Sequence, residues 1–303
     1  MEKVLSPLTK CENITQIDEI SRRQLIEDWS KEFSIDVSTE LGHCDGINAY
    51  QCNVTGLIFY YPFDVAGSDK LYEQLSRFEW YYMPDKWEHR IALEDLSDCH
   101  NILEIGSAFG GFVQKAIEYG FNIQGLELNK EAVKVAQSKE LPIKALDLND
   151  LVKTHAEYFD GVCSFQVLEH VSQPREFIEA SLDVLKPGGR LIYCVPNAES
   201  FLQHQYNLLD MPPHHLTRWS KATFQALESL FPIQLEKLRF EPLAPYHISG
   251  FLKAYSKHFR SVSPIYKVAF NKLSLPLYHK ALSLGVRHFL RGQSLYAQFR
   301  KLA

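Results

Sequence analysis

In the middle of the chain, apolar segments of strand length alternate with segments whose apolar residues have helical spacing. Five apolar segments have the length and composition of buried strands: 101–105, 122–127, 142–146, 160–166 and 190–195. Stretches of about ten residues or more with helical spacing separate them, and Gly120 and the "KPGG" of 186–189 punctuate this pattern. Strands and helices that alternate in this way predict a parallel α/β sheet with helices on both faces.

The N-terminal region has a different pattern. Residues 13–33 place three isoleucines, Leu25 and Trp29 at roughly helical spacing, which predicts a helix. The segment "NAYQCNVTGLIFYYP", 48–62, predicts two short strands around a turn at Thr55-Gly56. Further helices are predicted from the segments that follow, "SDKLYEQLSRFEWYY" and, after Pro84, "DKWEHRIALEDL".

A glycine-rich turn follows the first core strand in "NILEIGSAFGGF", 101–112. In a doubly wound sheet, ligands bind at such turns, at the carboxyl ends of the strands. The series Gly106-x-Ala108-x-x-Gly111 matches a dinucleotide fingerprint except for its middle glycine. Glu104 lies inside the strand, where a carboxylate is costly unless it binds something. These features predict a site for a nucleoside-containing ligand.

The spacing Glu104-x-Gly106-x-x-x-Gly110 resembles the first motif of class I S-adenosylmethionine-dependent methyltransferases. Later segments resemble that family's next motifs in the same order: "IQGLELN", "ALDLND", "FDGVCSFQVLEHV", "LKPGGRLIYCVPN" and a terminal "QSLYAQFRK". The resemblance covers about 100–245 and 293–301. It implies a doubly wound, Rossmann-like sheet of seven strands, the last of them antiparallel.

The resemblance also implies the cofactor, S-adenosyl-L-methionine, and the residues that bind it. In this family the glycine turn wraps the methionine end, the acid at Glu127 binds the ribose hydroxyls, and Asp147 reads the adenine amino group. The implied cofactor site is Glu104, Gly106, Ser107, Ala108, Gly110, Glu127, Leu128, Asp147, Leu148 and Gln166. Ala108 stands where glycine is commonest, and its methyl group narrows the turn. An NAD-linked oxidoreductase could use Glu127 in the same way, but would need a second catalytic domain downstream.

These observations divide the chain into four predicted parts: an N-terminal α+β cap region at 1–96, a methyltransferase core at 97–245, a basic helical insertion at 246–292 and the final core strand at 293–303. Strands at about 233–241 and 293–300 flank the insertion. In related enzymes a helical segment ahead of the first strand closes over the cofactor. Tyr81, Tyr82 and Trp87 could therefore wall a pocket in this chain.

Gln166-Val-Leu-Glu169-His170 resembles the Glu-x-x-Glu-His segment of ubiquinone-biosynthesis-type O-methyltransferases, where acidic residues can bind a divalent metal. Gln166 replaces the first acid and removes a charge. Cys44 and Cys52 weakly resemble zinc-carrying caps of some sugar methyltransferases, but the CxxC pairs that would complete four ligands are missing. We therefore predict no metal site.

The segment "LDMPPHHLTRWS", 209–220, resembles the loop after the fifth strand in small-molecule and sugar methyltransferases. Two prolines stiffen it ahead of His214 and His215, and an imidazole held there can deprotonate an alcohol. We predict that His214 or His215 is the general base for O-methylation of a small-molecule or glycan acceptor. Alternatively, one histidine bonds the backbone and the other faces solvent. C- or N-methylation and a non-catalytic module with a relict cofactor site stay open.

Charge is distributed unevenly along the chain. The net charge is −5, yet from Pro242 to Ala303 ten Lys and Arg meet no acid, so this part carries +10 and the rest −15. Within 247–291, basic and apolar residues interleave, and Pro264 and Pro276 should break the segment into short helices. It could pack on the acidic remainder or on a second subunit of a homodimer, lie on an anionic membrane, or attract an anionic substrate. Nucleic acid is not predicted, because the acidic remainder would repel it.

Cysteine content and the first residues bear on the compartment. Six cysteines occur without a CxxC spacing, which predicts reduced thiols. "MEKVLSPLTKCENITQ" lacks the apolar run of a signal peptide. Both features predict a cytoplasmic protein.

Overall fold

The structure is a computed structural model that describes residues 3–43, 46–83 and 85–303, so Cys44 and Pro84 lie outside the described residues. Its strands are β1 (Ile14–Ser21), β2 (Gly46–Cys52), β3 (Ile58–Tyr61), β4 (Asn101–Ile105), β5 (Asn122–Leu126), β6 (Ile143–Lys144), β7 (Phe159–Phe165), β8 (Leu185–Pro196), β9 (Thr217–Arg218), β10 (Ile233–Pro242) and β11 (Arg291–Lys301). Its helices are α1 (Arg22–Phe33), α2 (Asp69–Leu75), α3 (Trp87–Asp95), α4 (Gly111–Glu118), α5 (Lys130–Ser138), α6 (Leu148–Val152), α7 (Pro174–Val184), α8 (Lys221–Ala226), α9 (Ile248–Val262), α10 (Tyr266–Ala269) and α11 (Ser274–Ser283).

The central sheet has seven strands in the order β10-β11-β8-β7-β4-β5-β6. The strands from β6 to β8 pair in parallel, whereas β11 pairs antiparallel with both β8 and β10. Side chains alternate between the two faces: Cys163 and Cys194 join the hydrophobic cluster on one face, and Val162 and Val195 join the cluster on the other. The predicted α/β sheet and its antiparallel last strand are confirmed.

The helix predicted over 13–33 is wrong in its first half. Ile14–Ser21 forms β1, which pairs antiparallel with β2, and the helix begins only at Arg22. The register of β1 shifts between Gln16 and Asp18, as at a β-bulge. A bulge inserts one residue into the alternation of a strand. Ile17 lies at this shift and is 47% exposed, so the three isoleucines share no buried face, although their three-residue spacing imitates one side of a helix.

The cap region builds a second sheet in the order β1-β2-β3-β9. Its last strand, β9, comes from the loop after β8, and Ile58 and Phe59 of β3 pair with Arg218 and Thr217. The loop that contains the paired histidines is therefore anchored to the cap. The β2–β3 hairpin and α3 are as predicted, while α2 ends at Leu75, earlier than expected. The domain boundaries stay a prediction.

The insertion between β10 and β11 forms α9, α10 and α11. Pro264 lies between α9 and α10, as predicted. Pro276 instead lies in the first turn of α11, where a proline is tolerated because its missing N–H has no intrahelical partner to lose. Among the described residues, no helix has both the length and the apolar character needed to cross a bilayer.

Candidate active site

A cavity of about 1930 Å³ opens at the carboxyl ends of the parallel strands. Pockets for one drug-sized ligand usually measure about 300–1,000 Å³, so this cavity has room for two molecules side by side. Its walls come from the turns after β4, β5 and β7, from the cap segment 79–94, and from the start and end of the insertion. The cap segment includes Tyr81, Tyr82 and Trp87, which line the cavity.

The turn after β4 has three residues in the left-handed region. Gly106 and Gly110 both have φ of +81°, and Ala108 has φ of +46°. A Cβ atom on Gly106 would overlap the side chain of Val167, and one on Gly110 would overlap Leu141. These glycines are therefore required by packing inside the protein, in addition to any approach of a ligand.

Glu104 is buried in β4 and lines the cavity. Its Oε2 atom has no hydrogen-bond partner among the described residues. Burial raises the pKa of Glu104 to about 8, because a low-dielectric surrounding disfavours the carboxylate. This oxygen can accept a proton donor that enters the cavity, and a cation there would favour its ionised form.

Glu127 follows β5 and connects two turns. Its Oε2 accepts a hydrogen bond from the Ala108 N–H at 2.8 Å, and its Oε1 accepts one from the Asn129 N–H at 2.8 Å. Each carboxylate oxygen keeps a further lone pair for a ligand hydroxyl. Next to it, the side chain of Leu128 is 60% exposed and lines the cavity. An exposed apolar side chain beside a carboxylate suits a ribose with its attached base.

Three more of the predicted cofactor residues, Asp147, Leu148 and Gln166, also line the cavity. Asp147 and Leu148 line the cavity at the start of α6, where Asp147 Oδ1 accepts a hydrogen bond from the Asn149 N–H at 2.8 Å. Gln166 lines it too, and its amide donates to Glu88 Oε1 of α3 at 3.2 Å. Of the ten predicted residues, nine line the cavity. Gly110 packs behind the turn.

His214 and His215 are each 5% exposed, so the alternative in which one of them faces solvent is wrong. His214 Nδ1 lies 2.8 Å from the Leu209 carbonyl oxygen, and its Nε2 lies 2.9 Å from the Tyr81 hydroxyl. A carbonyl oxygen only accepts, so Nδ1 carries the proton and Nε2 accepts from Tyr81. Burial lowers the pKa of His214 well below 6.5. The imidazole is therefore neutral.

His215 and His170 complete a cluster with His214. His215 Nδ1 lies 3.5 Å from Asp210 Oδ1, and its Nε2 lies 3.9 Å from Glu169 Oε1. His170 Nδ1 donates to the His214 carbonyl oxygen at 2.5 Å. Burial lowers the pKa of His170 to about 4 and that of His215 well below 6.5. Three neutral imidazoles therefore stand in one wall of the cavity.

The family model of a methyltransferase domain matches residues 79–231, from the cap segment to the turn between α8 and β10. The chain belongs to this family. It is an S-adenosylmethionine-dependent methyltransferase, as its sequence motifs predict. The matched region includes the glycine turn, Glu127, Asp147 and the histidine cluster.

Matches to individual proteins have low sequence identity or cover only part of the chain. It is 26% identical over 160 residues to the ubiquinone biosynthesis O-methyltransferase of Ralstonia nicotianae, across 47% of this chain and 67% of that protein. It is 32% identical over 105 residues to the mitochondrial ubiquinone biosynthesis O-methyltransferase of Mus musculus, across 32% of this chain and 28% of that protein. A SAM-dependent methyltransferase structure from Archaeoglobus fulgidus is 17% identical, covers 78% of this chain and 95% of its own, and has a TM-score of 0.48.

The cavity of the methyltransferase fits its cofactor. The free oxygen of the buried Glu104 suits an ammonium group at the amino-acid end, and Glu127 keeps acceptor capacity for hydroxyl groups. Glu104 was singled out by its place inside a strand and Glu127 by the family resemblance, and both line the cavity. Neither signal indicates Tyr81 as the partner of His214, because these two residues are 133 positions apart. Their only sequence signal is the aromatic character of the cap segment.

Proposed function

We propose that this methyltransferase transfers a methyl group to a hydroxyl oxygen of a small-molecule or glycan acceptor. The observation that carries the proposal is the hydrogen bond between Tyr81 and the neutral His214 in the cavity wall. Methylation of a hydroxyl needs an acceptor for its proton, which this pair supplies. The names of the ubiquinone biosynthesis O-methyltransferases support the same reaction class.

In this proposal, residues at the ends of β4, β5 and β6 would hold the cofactor. The turn from Gly106 to Gly110 and Glu104 hold its amino-acid end, Glu127 accepts from its ribose hydroxyls, and Asp147 with Leu148 borders its adenine. The cofactor supplies a methyl group on a positively charged sulfur, ready for displacement. The protein's own contribution is to orient the acceptor and remove its proton.

The proton leaves through Tyr81. With the cofactor bound and supplying the methyl group, the acceptor O–H would give its proton to the Tyr81 oxygen as the acceptor oxygen is methylated. Tyr81 passes its own proton to His214 Nε2, which lies 2.9 Å away. His214 Nδ1 keeps its proton on the Leu209 carbonyl, so the imidazolium that forms is already oriented. Burial raises the pKa of Tyr81 well above 10, so Tyr81 serves as a relay and not as a standing phenolate.

His215, the other predicted base, lacks this geometry. Its two ring nitrogens face Asp210 and Glu169, both of which are buried in the wall. We therefore assign the base to His214 and reserve His215 for another role.

Product analysis tests the proposed reaction. The purified chain is incubated with methyl-labelled S-adenosylmethionine and a panel of phenols, sugars and lipid-linked glycans, and the labelled position is read by NMR. We expect an O-methyl product. Labelling only at nitrogen or carbon would overturn the O-methyl assignment in favour of the alternative reaction. Calorimetry with S-adenosylhomocysteine is the companion measurement, because a relict cofactor site would show no micromolar binding.

The insertion supports a second part of the proposal, contact with an anionic membrane. Its outer surface exposes large apolar side chains, among them Leu273 at 83% and Phe289 at 88%. The eight Lys and Arg from Lys253 to Arg291 form no ion pair with an acid among the described residues. Unpaired cations beside exposed apolar side chains are typical of surfaces that lie on anionic lipid. Arg287 and His288 also line the cavity, so the acceptor could enter from that side.

Vesicle flotation tests the membrane contact. We expect the chain to float with phosphatidylglycerol vesicles at low salt and to stay behind with phosphatidylcholine vesicles. Lys267→Glu with Lys272→Glu should abolish flotation, whereas Lys130→Glu with Lys221→Glu makes the same charge change elsewhere and should not. Flotation that does not depend on lipid charge, or no flotation, would contradict this contact. A dimer in sedimentation without vesicles would favour a second subunit. The cytoplasmic location stays a prediction.

A further inference from the structure

Three histidines and one glutamate converge in the wall of the cavity, on the acceptor side. His170 and Glu169 come from the turn after β7, and His214 and His215 come from the loop after β8. One ring nitrogen from each histidine lies within 4.8 Å of those of the other two. The proton relay through Tyr81 and His214 uses only one of these four groups. The function of the other three is therefore open.

One nitrogen of each imidazole lies next to an oxygen, through a hydrogen bond in His170 and at a longer distance in His215. His170 Nδ1 donates to the His214 carbonyl, and His215 Nδ1 lies 3.5 Å from Asp210 Oδ1. The hydrogen bond of His170 places its proton on Nδ1 and leaves a lone pair on Nε2; a proton on His215 Nδ1, towards Asp210, leaves one on its Nε2 as well. Both Nε2 atoms face Glu169, at 3.8 Å for His170 and 3.9 Å for His215. Histidines that bind metals usually have their other nitrogen fixed by a carbonyl or carboxylate in this way.

Glu169 points to a missing ligand. Its side chain is 2% exposed, and neither carboxylate oxygen has a hydrogen-bond partner among the described residues. A buried carboxyl group without partners is costly, and native structures rarely contain one. The Nε2 atoms of His170 and His215 face this carboxyl group. A nitrogen that carries a lone pair in place of a proton cannot donate a hydrogen bond to it. A positive ion between the three side chains would satisfy all of them.

We propose that Glu169, His170 and His215 bind a divalent transition-metal ion. Two imidazoles with one carboxylate favour ions such as Zn²⁺, Fe²⁺, Mn²⁺ or Co²⁺ over Mg²⁺ and Ca²⁺, which prefer oxygen ligands alone. Ligand atoms of a tetrahedral ion with bonds of about 2.1 Å are roughly 3.4 Å apart. The two separations from Glu169, 3.8 Å to His170 and 3.9 Å to His215, exceed this value by about half an ångström, and one ring nitrogen of each histidine lies within 4.8 Å of the other.

No metal site is predicted from the sequence, because Gln166 replaces the first acid of the Glu-x-x-Glu-His pattern. In the structure, the Gln166 amide donates to Glu88 and takes no part in the cluster. His215, from the loop 45 positions after His170, replaces the missing acid. His214 stays outside the ligand set, because its Nε2 accepts from Tyr81.

The metal site deepens the proposed function and rests on it for its role. Glu169, His170 and His215 all line the cavity and leave coordination positions open. An acceptor hydroxyl bound there would have a lowered pKa, as metal-bound water does. Its proton would then pass to Tyr81 and His214 next to the ion. The metal site and the relay thus act on the same oxygen.

Metal titration of the chelator-treated full chain, without cofactor or acceptor, tests the site. We expect one equivalent of Co²⁺ to bind the wild type, read by its visible absorption and by calorimetry. Glu169→Gln, His170→Gln and His215→Gln should lose this binding. Asp210→Asn, which changes the orienting carboxylate, should weaken it by roughly 10–100-fold. His214→Gln should keep it.

A histidine pair outside the cavity supplies the matched control. His204 and His258 stack at 3.9 Å between ring centroids and could bind an adventitious ion, so His204→Gln should leave the expected equivalent intact. Absence of binding in the wild type, or loss of all binding in His204→Gln, would overturn the site. If a ligand variant fails to fold, X-ray absorption of the Co²⁺ wild type must still show two imidazole ligands, and any other number would contradict the assignment.

The site and the proposed function can fail separately. Co²⁺ binding by the wild type without any O-methyl product would leave the site standing and overturn the function. O-methylation that is undiminished in the chelator-treated enzyme would overturn the role of the ion in catalysis.

Discussion

The two ends of the cavity are built in different ways. In the proposed assignment, the cofactor end uses residues that directly follow β4, β5 and β6, and local hydrogen bonds hold them, as between Glu127 and Asn129. The acceptor end assembles Tyr81 from the cap, Glu169 from the turn after β7, and His214 from the loop after β8. Strand order determines the geometry of the cofactor end, whereas contacts between distant segments determine the geometry of the acceptor end.

This difference has a functional consequence. Parallel strands bring consecutive carboxyl ends to one edge, so a change at the cofactor end should alter cofactor affinity first. The acceptor end depends on the pairing of β9 with β3, which anchors the histidine loop to the cap. A change there should alter turnover and leave cofactor affinity nearly intact. Substitutions at each end can therefore test whether the two ends are separable.

His214→Gln should have the largest effect. Glutamine fills a similar space but cannot take the acceptor's proton, so kcat should fall by about 10²–10⁴-fold. The affinity for S-adenosylhomocysteine should stay within about twofold, since the variant lies outside the cofactor end. Steady-state kinetics and calorimetry give the two values. His204→Gln, at a surface histidine, is the control and should change neither. A parallel loss of affinity and kcat in His214→Gln would show that the two ends are coupled.

Glu127→Gln should act on the opposite end. Charge-assisted hydrogen bonds contribute about 1.5–3 kcal/mol, so the affinity for S-adenosylhomocysteine should fall roughly 10–100-fold. The amide also presents an N–H group to one of the backbone donors of Ala108 and Asn129, which should lower the melting temperature of the free protein. Calorimetry and thermal melts measure both. The exposed Glu131→Gln, in the first turn of α5, should change the affinity by less than about twofold. An unchanged affinity in Glu127→Gln would remove Glu127 from the site.

The cofactor end could be predicted because its signals are local. The family resemblance assigned Glu127 and Asp147, and strand order predicts that they and Glu104 meet at one edge of the sheet; their roles in binding the cofactor stay predictions. One local signal failed: Ile14, Ile17 and Ile20 have helical spacing, yet they belong to β1, where Ile17 is exposed. The spacing of three apolar residues predicts a helix only where all three are buried on one side.

The acceptor end could be predicted only in part. The prolines before His214 marked the loop as special, but neither the pairing of Tyr81 with His214 nor the position of Glu169 next to His215 has a local signal. Both depend on how the cap packs against the core. The aromatic residues of the cap segment indicated that it forms a wall of the cavity, but their specific contacts are seen only in the tertiary structure.

Proton release tests the buried acid of the cofactor end. Burial raises the pKa of Glu104 to about 8, so the free protein carries this proton at pH 7. The ammonium group of the cofactor favours the carboxylate, so binding of S-adenosylhomocysteine at pH 7 should release ~0.9 proton. Affinity should then rise up to about tenfold per pH unit below pH 8 and level off above it.

Calorimetry in buffers of different ionisation enthalpy measures the released proton. Glu104→Gln is the control, because it cannot ionise and should show no release. The stability of the free protein should change with pH in the opposite direction to the affinity. The raised pKa of Glu104 stabilises the free protein fully below the usual carboxyl pKa of about 4.5, and this contribution is lost as the pH rises through 8. If Glu104→Gln still released a proton on binding S-adenosylhomocysteine, the proton would come from another group.

Ala108→Gly should have the smallest effect. Ala108 has φ of +46°, a conformation that costs a residue with a Cβ about 1–2 kcal/mol. Glycine removes this cost but adds about 0.5–1 kcal/mol of chain entropy to the unfolded state. The two terms nearly offset each other, so the free energy of unfolding should change by less than about 1 kcal/mol. Affinity for S-adenosylhomocysteine should stay within about threefold, because the Ala108 N–H still donates to Glu127.

Ala116→Gly, a buried position inside α4, is the matched control for this substitution. There glycine loses helix propensity worth about 1 kcal/mol and gains no relief of strain. Chemical denaturation of both variants should therefore place Ala108→Gly nearer to the wild type than Ala116→Gly. Equal destabilisation would mean that the methyl group of Ala108 is accommodated without strain. The cofactor turn would then tolerate alanine as readily as glycine, and only packing at Gly106 and Gly110 would constrain its sequence.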